Sequence, residues 1–185
     1  MKYSELASIY EALENTSKRL EKTYIISQFL KKVKDEDIDK IILLIQGRLF
    51  PLWDETKIGV SDRLVIKAIS LATGTAPDKV ENEWKKIGDL GMVAEKLVQK
   101  KSQATLFSKE LTAQKVFDNL RKLPELEGAG SVDQKVQMIA ELLSSAKPLE
   151  ARYVIRTVLE DLRVGVGTGS LRDAIVWAFF DKKIN

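Results

Sequence analysis

The 185-residue chain contains no cysteine and no histidine. The absence of cysteine excludes disulfide bonds and thiol chemistry. The absence of histidine removes the commonest general base and the commonest metal ligand, so any catalysis would depend on carboxylates, lysines or hydroxyls. No nucleophile–base pair or isolated carboxylate pair stands out from the pattern of charged residues. The sequence therefore favours a binding role, with no catalytic residue and no metal site.

Long hydrophobic runs are also missing. The longest apolar run is IILLI at residues 41–45, which is far too short to span a bilayer. The N-terminus, MKYSELASIY, lacks the apolar core of a secretory signal. With 44% hydrophobic and 31% charged residues, the composition is typical of a folded soluble protein. We expect a cytoplasmic monomer without membrane contact.

Helical periodicity dominates the chain. Tyr3, Leu6, Tyr10 and Leu13 lie on one face of a helix, and similar patterns recur to the end of the sequence. No segment alternates with the period of a strand, and no linker or repeat divides the chain. The sequence predicts an all-α fold of roughly nine to eleven helices in a single domain, residues 1–185.

Several helix boundaries are marked by capping residues. Ser61 and Thr112 are predicted N-caps, Pro77 is a predicted first helical residue, and Gly88 and Gly91 are predicted to frame a break. Two further boundaries concern the candidate sites. Ser131 and Gln134 are predicted to form a capping box, and the helix opened by Pro148 is predicted to run to Leu162.

Charge is unevenly distributed. The chain carries a net charge of +3, whereas residues 91–123 alone carry +4. A basic zone of this kind suits a surface that faces a polyanion, although solvated lysine faces are common in proteins. Lys100 and Lys101 are the candidate polyanion-binding lysines of this zone.

Three of the ten glycines are clustered between two predicted helices. Gly165, Gly167 and Gly169 alternate with other residues, Arg163 precedes them and Arg172 follows. Amides at a helix start without a nearby Cβ admit a phosphate closely, and the arginines could add charge-assisted contacts. Thr168 and Ser170 complete this candidate site. The spacing is neither a Rossmann fingerprint nor a P-loop, and the structural alternative is a tight helix–helix turn.

A second glycine cluster repeats this pattern. Gly128 and Gly130 precede Ser131, and Lys135 follows about one turn into the predicted helix. Two such helix starts in one all-α chain suggest contacts with a sugar-phosphate backbone, which would position a duplex without reading its sequence. An ordinary capped helix is the alternative at this site.

At this point the chain resembles a known family. The likeness is carried by residues 1–31, by GRLFPLWDETKIGVSDRLVIKAISLATG, by KIGDLGMVAEKL and by the region from LFSKELTAQ to DAIVWAF. E-G-x-G-S and L-R-x-G-V-x-x-G, which contain the two glycine clusters, are the most specific stretches. The sequence resembles the N-terminal DNA-binding domain of ATP-dependent DNA ligases of the archaeal and eukaryotic type, and the match looks archaeal.

The resemblance implies a helical domain on the minor-groove side of nicked duplex DNA, where both glycine-bearing helix starts meet phosphates. The parent enzyme would use ATP and Mg²⁺ to form enzyme–AMP and then AMP–DNA before it seals nicks in replication, repair and recombination. The adenylation lysine of such ligases lies in a Lys-x-Asp-Gly motif, and this chain has no Asp-Gly dipeptide. We therefore expect a DNA-binding segment that needs its nucleotidyltransferase and OB-fold domains in cis and does not ligate alone.

Residues 100–110 lose the helical period and contain a short motif. Gln103, Leu106 and Phe107 look similar to the sliding-clamp-binding motif of archaeal ligases, in which an apolar pair would fill a pocket of the clamp. The alternative is that Leu106 and Phe107 pack into the core of this chain.

Two other functional classes stay open at this stage. Leu162–Ala174 also resembles the helix-hairpin-helix of DNA repair glycosylases or nucleases, which would cleave damaged or nicked strands. A helical protein-binding scaffold is the second alternative, and its affinity would not fall steeply with salt, as that of a phosphate-binding protein does.

Overall fold

The computed structural model describes residues 1–102 and 110–180, and within them the chain is all-α, as predicted. It forms ten α-helices in these ranges: α1 (Tyr3–Glu14), α2 (Arg19–Leu30), α3 (Ile38–Ile45), α4 (Asp62–Thr73), α5 (Pro77–Ile87), α6 (Leu90–Ser102), α7 (Ala113–Lys122), α8 (Ser131–Ser145), α9 (Pro148–Val158) and α10 (Thr168–Phe180). Two 3-10 turns lie at Asp35–Asp37 and Leu123–Glu125. In these ranges the β-type pairing is confined to an isolated bridge between Lys2 and Thr112.

The predicted capping residues of α4, α5 and α7 are confirmed. The Ser61 hydroxyl accepts a hydrogen bond from the Leu64 amide at 3.4 Å, and the Thr112 hydroxyl accepts one from the Lys115 amide at 3.1 Å. Pro77 is the first residue of α5, where its missing N–H costs no helical hydrogen bond.

Two predicted boundaries are wrong. The helix opened by Pro148 ends at Val158 rather than Leu162, because Glu160 takes a left-handed conformation with a φ of 56°. Gly91 lies inside α6 instead of in a break. A Cβ at Gly91 would lie 2.7 Å from the carbonyl oxygen of Arg152, so this glycine permits the close crossing of α6 and α9.

The core is organised around α9. Its residues Ala151, Val154 and Ile155 are fully buried, and α9 packs against both α6 and α1. The two remaining large helix contacts join α4 to α8 and α2 to α10. These last two pairs matter for function because α8 and α10 each begin at one of the glycine clusters.

No helix in the described part of the chain has the length and apolar character needed to cross a membrane.

Candidate nucleic-acid interface

The first candidate site is the turn that leads into α8. A Cβ atom added to Gly128 or Gly130 would meet no atom within 4 Å. The amides of Val132 and Asp133 donate to no group in the described residues, which is usual for the first turn of a helix. The start of α8 therefore has unpaired N–H groups beside open space.

The predicted capping box at this site is wrong. Gly130 is the N-cap of α8, Ser131 is its first helical residue, and no side chain caps the helix. Gly130 takes a left-handed conformation with a φ of 81°, and the helix begins directly after it, one residue earlier than a cap at Ser131 would require. The Ser131 amide itself donates to the carbonyl of Gly128 at 3.3 Å.

Charges of both signs surround this first turn. Lys135 is partly buried and its Nζ lies 3.9 Å from the position that a Cβ on Gly59 would occupy. Lys135 makes no ion pair with a described residue, so its charge is available to an external anion. Asp133 is exposed in the same turn and would oppose an anion at close range.

The second candidate site lies between α9 and α10. Arg163 and Gly165 have left-handed backbones, with φ of 61° and 62°. A Cβ on Gly167 would meet no atom within 4 Å. The amides of Gly169 and Ser170, in the first turn of α10, donate to no described group. This site combines unpaired amides with open space at Gly167, whereas Ser170 itself is buried, with 9% exposure.

Both predicted arginines of the second site are paired within the chain. The Arg163 Nε donates to Asp161 at 2.8 Å, and its Nη1 lies 3.6 Å from Asp89. The Arg172 Nη2 donates to Asp173 at 3.0 Å. These carboxylates reduce the net charge that the arginines offer to an anion, and the sequence analysis did not anticipate them.

Helix α2 supplies two cations to the second site that the sequence analysis missed. The Arg19 Nη2 donates to Asp173 at 2.8 Å and lies 3.5 Å from the position of a Cβ on Gly169. The Lys22 Nζ donates to the backbone carbonyls of Val164 and Gly165. One signal was present in the sequence: Lys22 is in phase with Ile26 and Phe29 on the buried face of α2.

A buried ion network holds the end of α9 in place beside this site. The Arg156 guanidinium donates to Asp89 at 2.6 Å and to Glu14 at 2.7 Å. Burial alone would raise the pKa of both carboxyl groups, but hydrogen bonds and the charge of Arg156 lower the pKa of each below its usual value. Both carboxylates therefore stay ionised at neutral pH.

The connection between α3 and α4, residues 46–61, contacts both candidate sites. At one end, the position of a Cβ on Gly47 lies 2.9 Å from the Cβ of Leu162, just before the second glycine cluster. At the other end, Gly59 lies beside Lys135 of the first site. The two sites, more than thirty residues apart in the chain, thus share one neighbouring segment.

Comparisons with known proteins show the family of this chain. The family model described as "DNA ligase N terminus" matches residues 2–176. A DNA ligase of Methanobrevibacter smithii is 50% identical over 185 residues, which is 100% of this chain and 34% of that ligase. A DNA ligase of Methanothermobacter thermautotrophicus is 47% identical over 177 residues, covering 96% of this chain and 32% of that protein.

The chain belongs to the DNA ligase N-terminal family. A DNA ligase of Thermococcus fumicolans is similar to the same degree, 46% identical over 179 residues, with 97% of this chain and 32% of that protein covered. The chain therefore spans about a third of the length of the curated relatives it matches, and it corresponds to their N-terminal part.

The two predicted lysines of this ligase N-terminal chain lie at the end of α6, away from the glycine clusters in sequence. Lys100 lines a shallow cleft together with Lys79 and Lys86 of α5. The Lys101 Nζ donates to the carbonyl of Ala72 in α4. The same cleft is lined by Glu83, which pairs with Lys86, while Lys101 is held against the protein backbone.

The predicted clamp motif and possible metal sites are the remaining features of this chain. The predicted clamp-binding residues Gln103, Leu106 and Phe107 lie outside the described residues. Within residues 1–102 and 110–180, no group of three or more Asp or Glu side chains is arranged to hold a metal ion.

Proposed function

We propose that this chain binds nicked duplex DNA without regard to sequence, through phosphates on the minor-groove side, as the DNA-binding domain of an ATP-dependent DNA ligase. The observation that carries the proposal is the pair of helix starts with unpaired amides beside open space, at Gly130 and Gly167. Membership of the ligase family supports a DNA phosphate as the anion that these amides bind.

The physical argument rests on the helix starts. The N-terminal amides of a helix and its dipole together favour a bound anion. Two such sites beside one connecting segment, residues 46–61, suit a polymer with regularly spaced phosphates, which contacts of this kind position without reading bases. Lys135 at the first site and Arg172 at the second would add charge-assisted contacts. The remaining proposed DNA-binding residues are Gly128, Ser131, Arg163, Gly165, Thr168, Gly169, Ser170, Lys100 and Lys101.

The proposal extends to the parent enzyme. In it, this chain would hold the nick while nucleotidyltransferase and OB-fold domains in cis use ATP and Mg²⁺ to seal the strand during replication, repair and recombination. We propose that this chain does not ligate alone, acts in the cytoplasm as a monomer, and contacts the sliding clamp through Gln103, Leu106 and Phe107.

A binding titration with a matched pair of variants tests the function. Fluorescence anisotropy with a labelled nicked duplex should show binding that weakens steeply as salt rises, because phosphate contacts release counterions. Gly130→Ala should weaken this binding about tenfold, since the new methyl group occupies the space beside the α8 amides and strains the turn that aims them.

Gly74→Ala is the matched control. Gly74 is also left-handed, with a φ of 70°, and a Cβ there would also meet no atom within 4 Å. The control should therefore carry the same backbone cost without loss of affinity for DNA. Equal losses in the two variants would remove the α8 site from the interface. Salt-insensitive binding would favour a protein-binding scaffold, and strand cleavage would favour a repair nuclease or glycosylase.

A further inference from the structure

The ammonium group of Lys22 is buried beneath the second candidate site. The residue is 9% exposed, although lysine is almost never fully buried without a partner. Its Nζ lies 2.6 Å from the carbonyl oxygen of Val164 and 3.2 Å from that of Gly165. No carboxylate of the described residues forms an ion pair with it. Within the described residues, the ammonium group therefore pairs with two consecutive backbone carbonyls.

These two hydrogen bonds fix the direction of two amides. The described chain has no cis peptide bond, and in a trans peptide the N–H points away from the C=O of the same unit. Because the carbonyls of Val164 and Gly165 point toward Lys22, the N–H groups of Gly165 and Val166 point away from it. Neither N–H donates to a group of the described chain.

The position of Lys22 also explains why residue 165 is glycine. Gly165 has a left-handed φ of 62°, and a Cβ there would lie 2.8 Å from the Lys22 Nζ. A side chain at this position would be strained and would also displace the ammonium group. Gly165 and Lys22 thus form one structural unit, and Gly165 is itself exposed to solvent.

We propose that Lys22 is a positioning residue that aims the Gly165 and Val166 amides at a DNA phosphate. The inference rests on the proposed DNA-binding function and deepens it. Successive outward-facing N–H groups in a turn form a concave donor site for anions. Together with the free amides of Gly169 and Ser170, they give the second site donors on both sides of Gly167. Lys22 orients these amides from the side of the loop that faces away from the phosphate, and it does not contact the phosphate.

The test combines affinity, salt dependence and amide resonances. Lys22→Met keeps the length of the side chain but removes its hydrogen-bond donors, and it should weaken binding to a nicked duplex about tenfold. The slope of log Kd against log salt should stay close to that of the wild type, because no phosphate contact of a side chain is lost. Arg172→Ala, which removes a proposed direct contact, should reduce that slope by about 1.

Nuclear magnetic resonance separates positioning from general stability. In the wild type, DNA should shift the amide resonances of Gly165 and Val166, and Lys22→Met should abolish those shifts while the α8 amides still respond. Lys22→Gln keeps two N–H donors and should recover part of the response. Lys32→Met, which removes a lysine just beyond the end of α2, is the matched control and should behave like the wild type.

Distinct outcomes would overturn the proposal. Wild-type affinity in folded Lys22→Met would show that the loop needs no support from Lys22. A slope reduced by about 1 in that variant would make Lys22 a direct contact instead. If Lys22→Met does not fold, Gly165→Ala displaces the same ammonium group, and unaltered amide responses in it would equally refute the proposal. Failure of the DNA-binding function would appear differently, as an absence of salt-dependent binding by the wild type.

Discussion

At the scale of single residues, Gly165 and Gly167 of the second site differ in what the fold demands of them. The left-handed backbone at residue 165 favours glycine, and a Cβ there would have to displace the Lys22 ammonium group. Gly167 has neither constraint, because a Cβ there meets nothing within 4 Å and its φ lies outside the left-handed region. We therefore propose Gly167 as the glycine of this site at which a ligand approaches most closely.

Gly167→Val gives a prediction at this scale. The valine fits the folded protein, so circular dichroism should show nearly unchanged helicity. Its branched side chain fills the space beside the α10 amides, so affinity for nicked duplex DNA should fall about tenfold or more. Anisotropy titration at a fixed salt concentration measures the loss.

Ala76→Val is the matched control for Gly167→Val. Ala76 is exposed and directly precedes α5, as Gly167 directly precedes α10. The same side chain is thus placed before another helix, and DNA affinity should not change. Unchanged affinity in Gly167→Val itself would remove this loop from the interface.

Sequence reasoning located Arg163 and Arg172 of the second site but could not supply their partners, and it missed the cations of α2. Arg163 and Arg172 were predicted from their position beside the glycines. Asp173 follows Arg172 directly in the sequence, yet its other partner, Arg19, is 154 residues away. Lys22 was missed because a lysine on a helix reads as solvent-exposed unless the neighbouring element is known.

At the scale of elements, Asp89 joins two helices. One of its oxygens accepts from the Gly91 amide at 2.8 Å and so caps α6, while the other accepts from Arg156 of α9. Asp89 and Arg156 are 5% and 3% exposed, and removing one partner of such a buried pair commonly costs about 3–5 kcal/mol. The pair holds α6 and α9 together where they cross. The second glycine cluster follows the end of α9 and leads into α10.

This network predicts an acid-sensitive stability. The pKa of Asp89 is lower in the folded protein than its usual value, so its ionised form stabilises the fold above about pH 4. That contribution should be lost as the pH falls through the lowered folded pKa. Urea unfolding at pH 5, 4 and 3 should show a steeper loss of unfolding free energy in the wild type than in Asp89→Asn.

The Asp89→Asn variant should also be less stable than the wild type at pH 7, because Arg156 loses the charge of Asp89 and retains Glu14 as a carboxylate partner. Parallel stability curves for the two proteins between pH 5 and pH 3 would show that Asp89 does not contribute through its charge.

At the scale of the whole molecule, the chain covers about a third of the length of its curated relatives. Its contact with the sliding clamp is part of the function that we propose. Phe107→Ala should abolish capture of this chain by an immobilised sliding clamp while DNA affinity is unchanged, because the predicted contact is an apolar side chain in a pocket. Phe180→Ala, at a phenylalanine that is 67% exposed in α10, is the matched control. Capture of the Phe107 variant at wild-type levels would refute the motif.

The sequence by itself determined the all-α fold, the caps at Ser61 and Thr112, and the location of both glycine clusters. These features follow from local rules, since periodicity and capping act over a few residues. Only the tertiary structure decided that Gly91 lies inside a helix crossing, that Lys22 lies beneath the second cluster, and that Asp89 pairs with Arg156 and Asp173 with Arg19. Packing sets these contacts: Lys22 and Val164 are 142 residues apart, and their meeting depends on how α2 packs against α10.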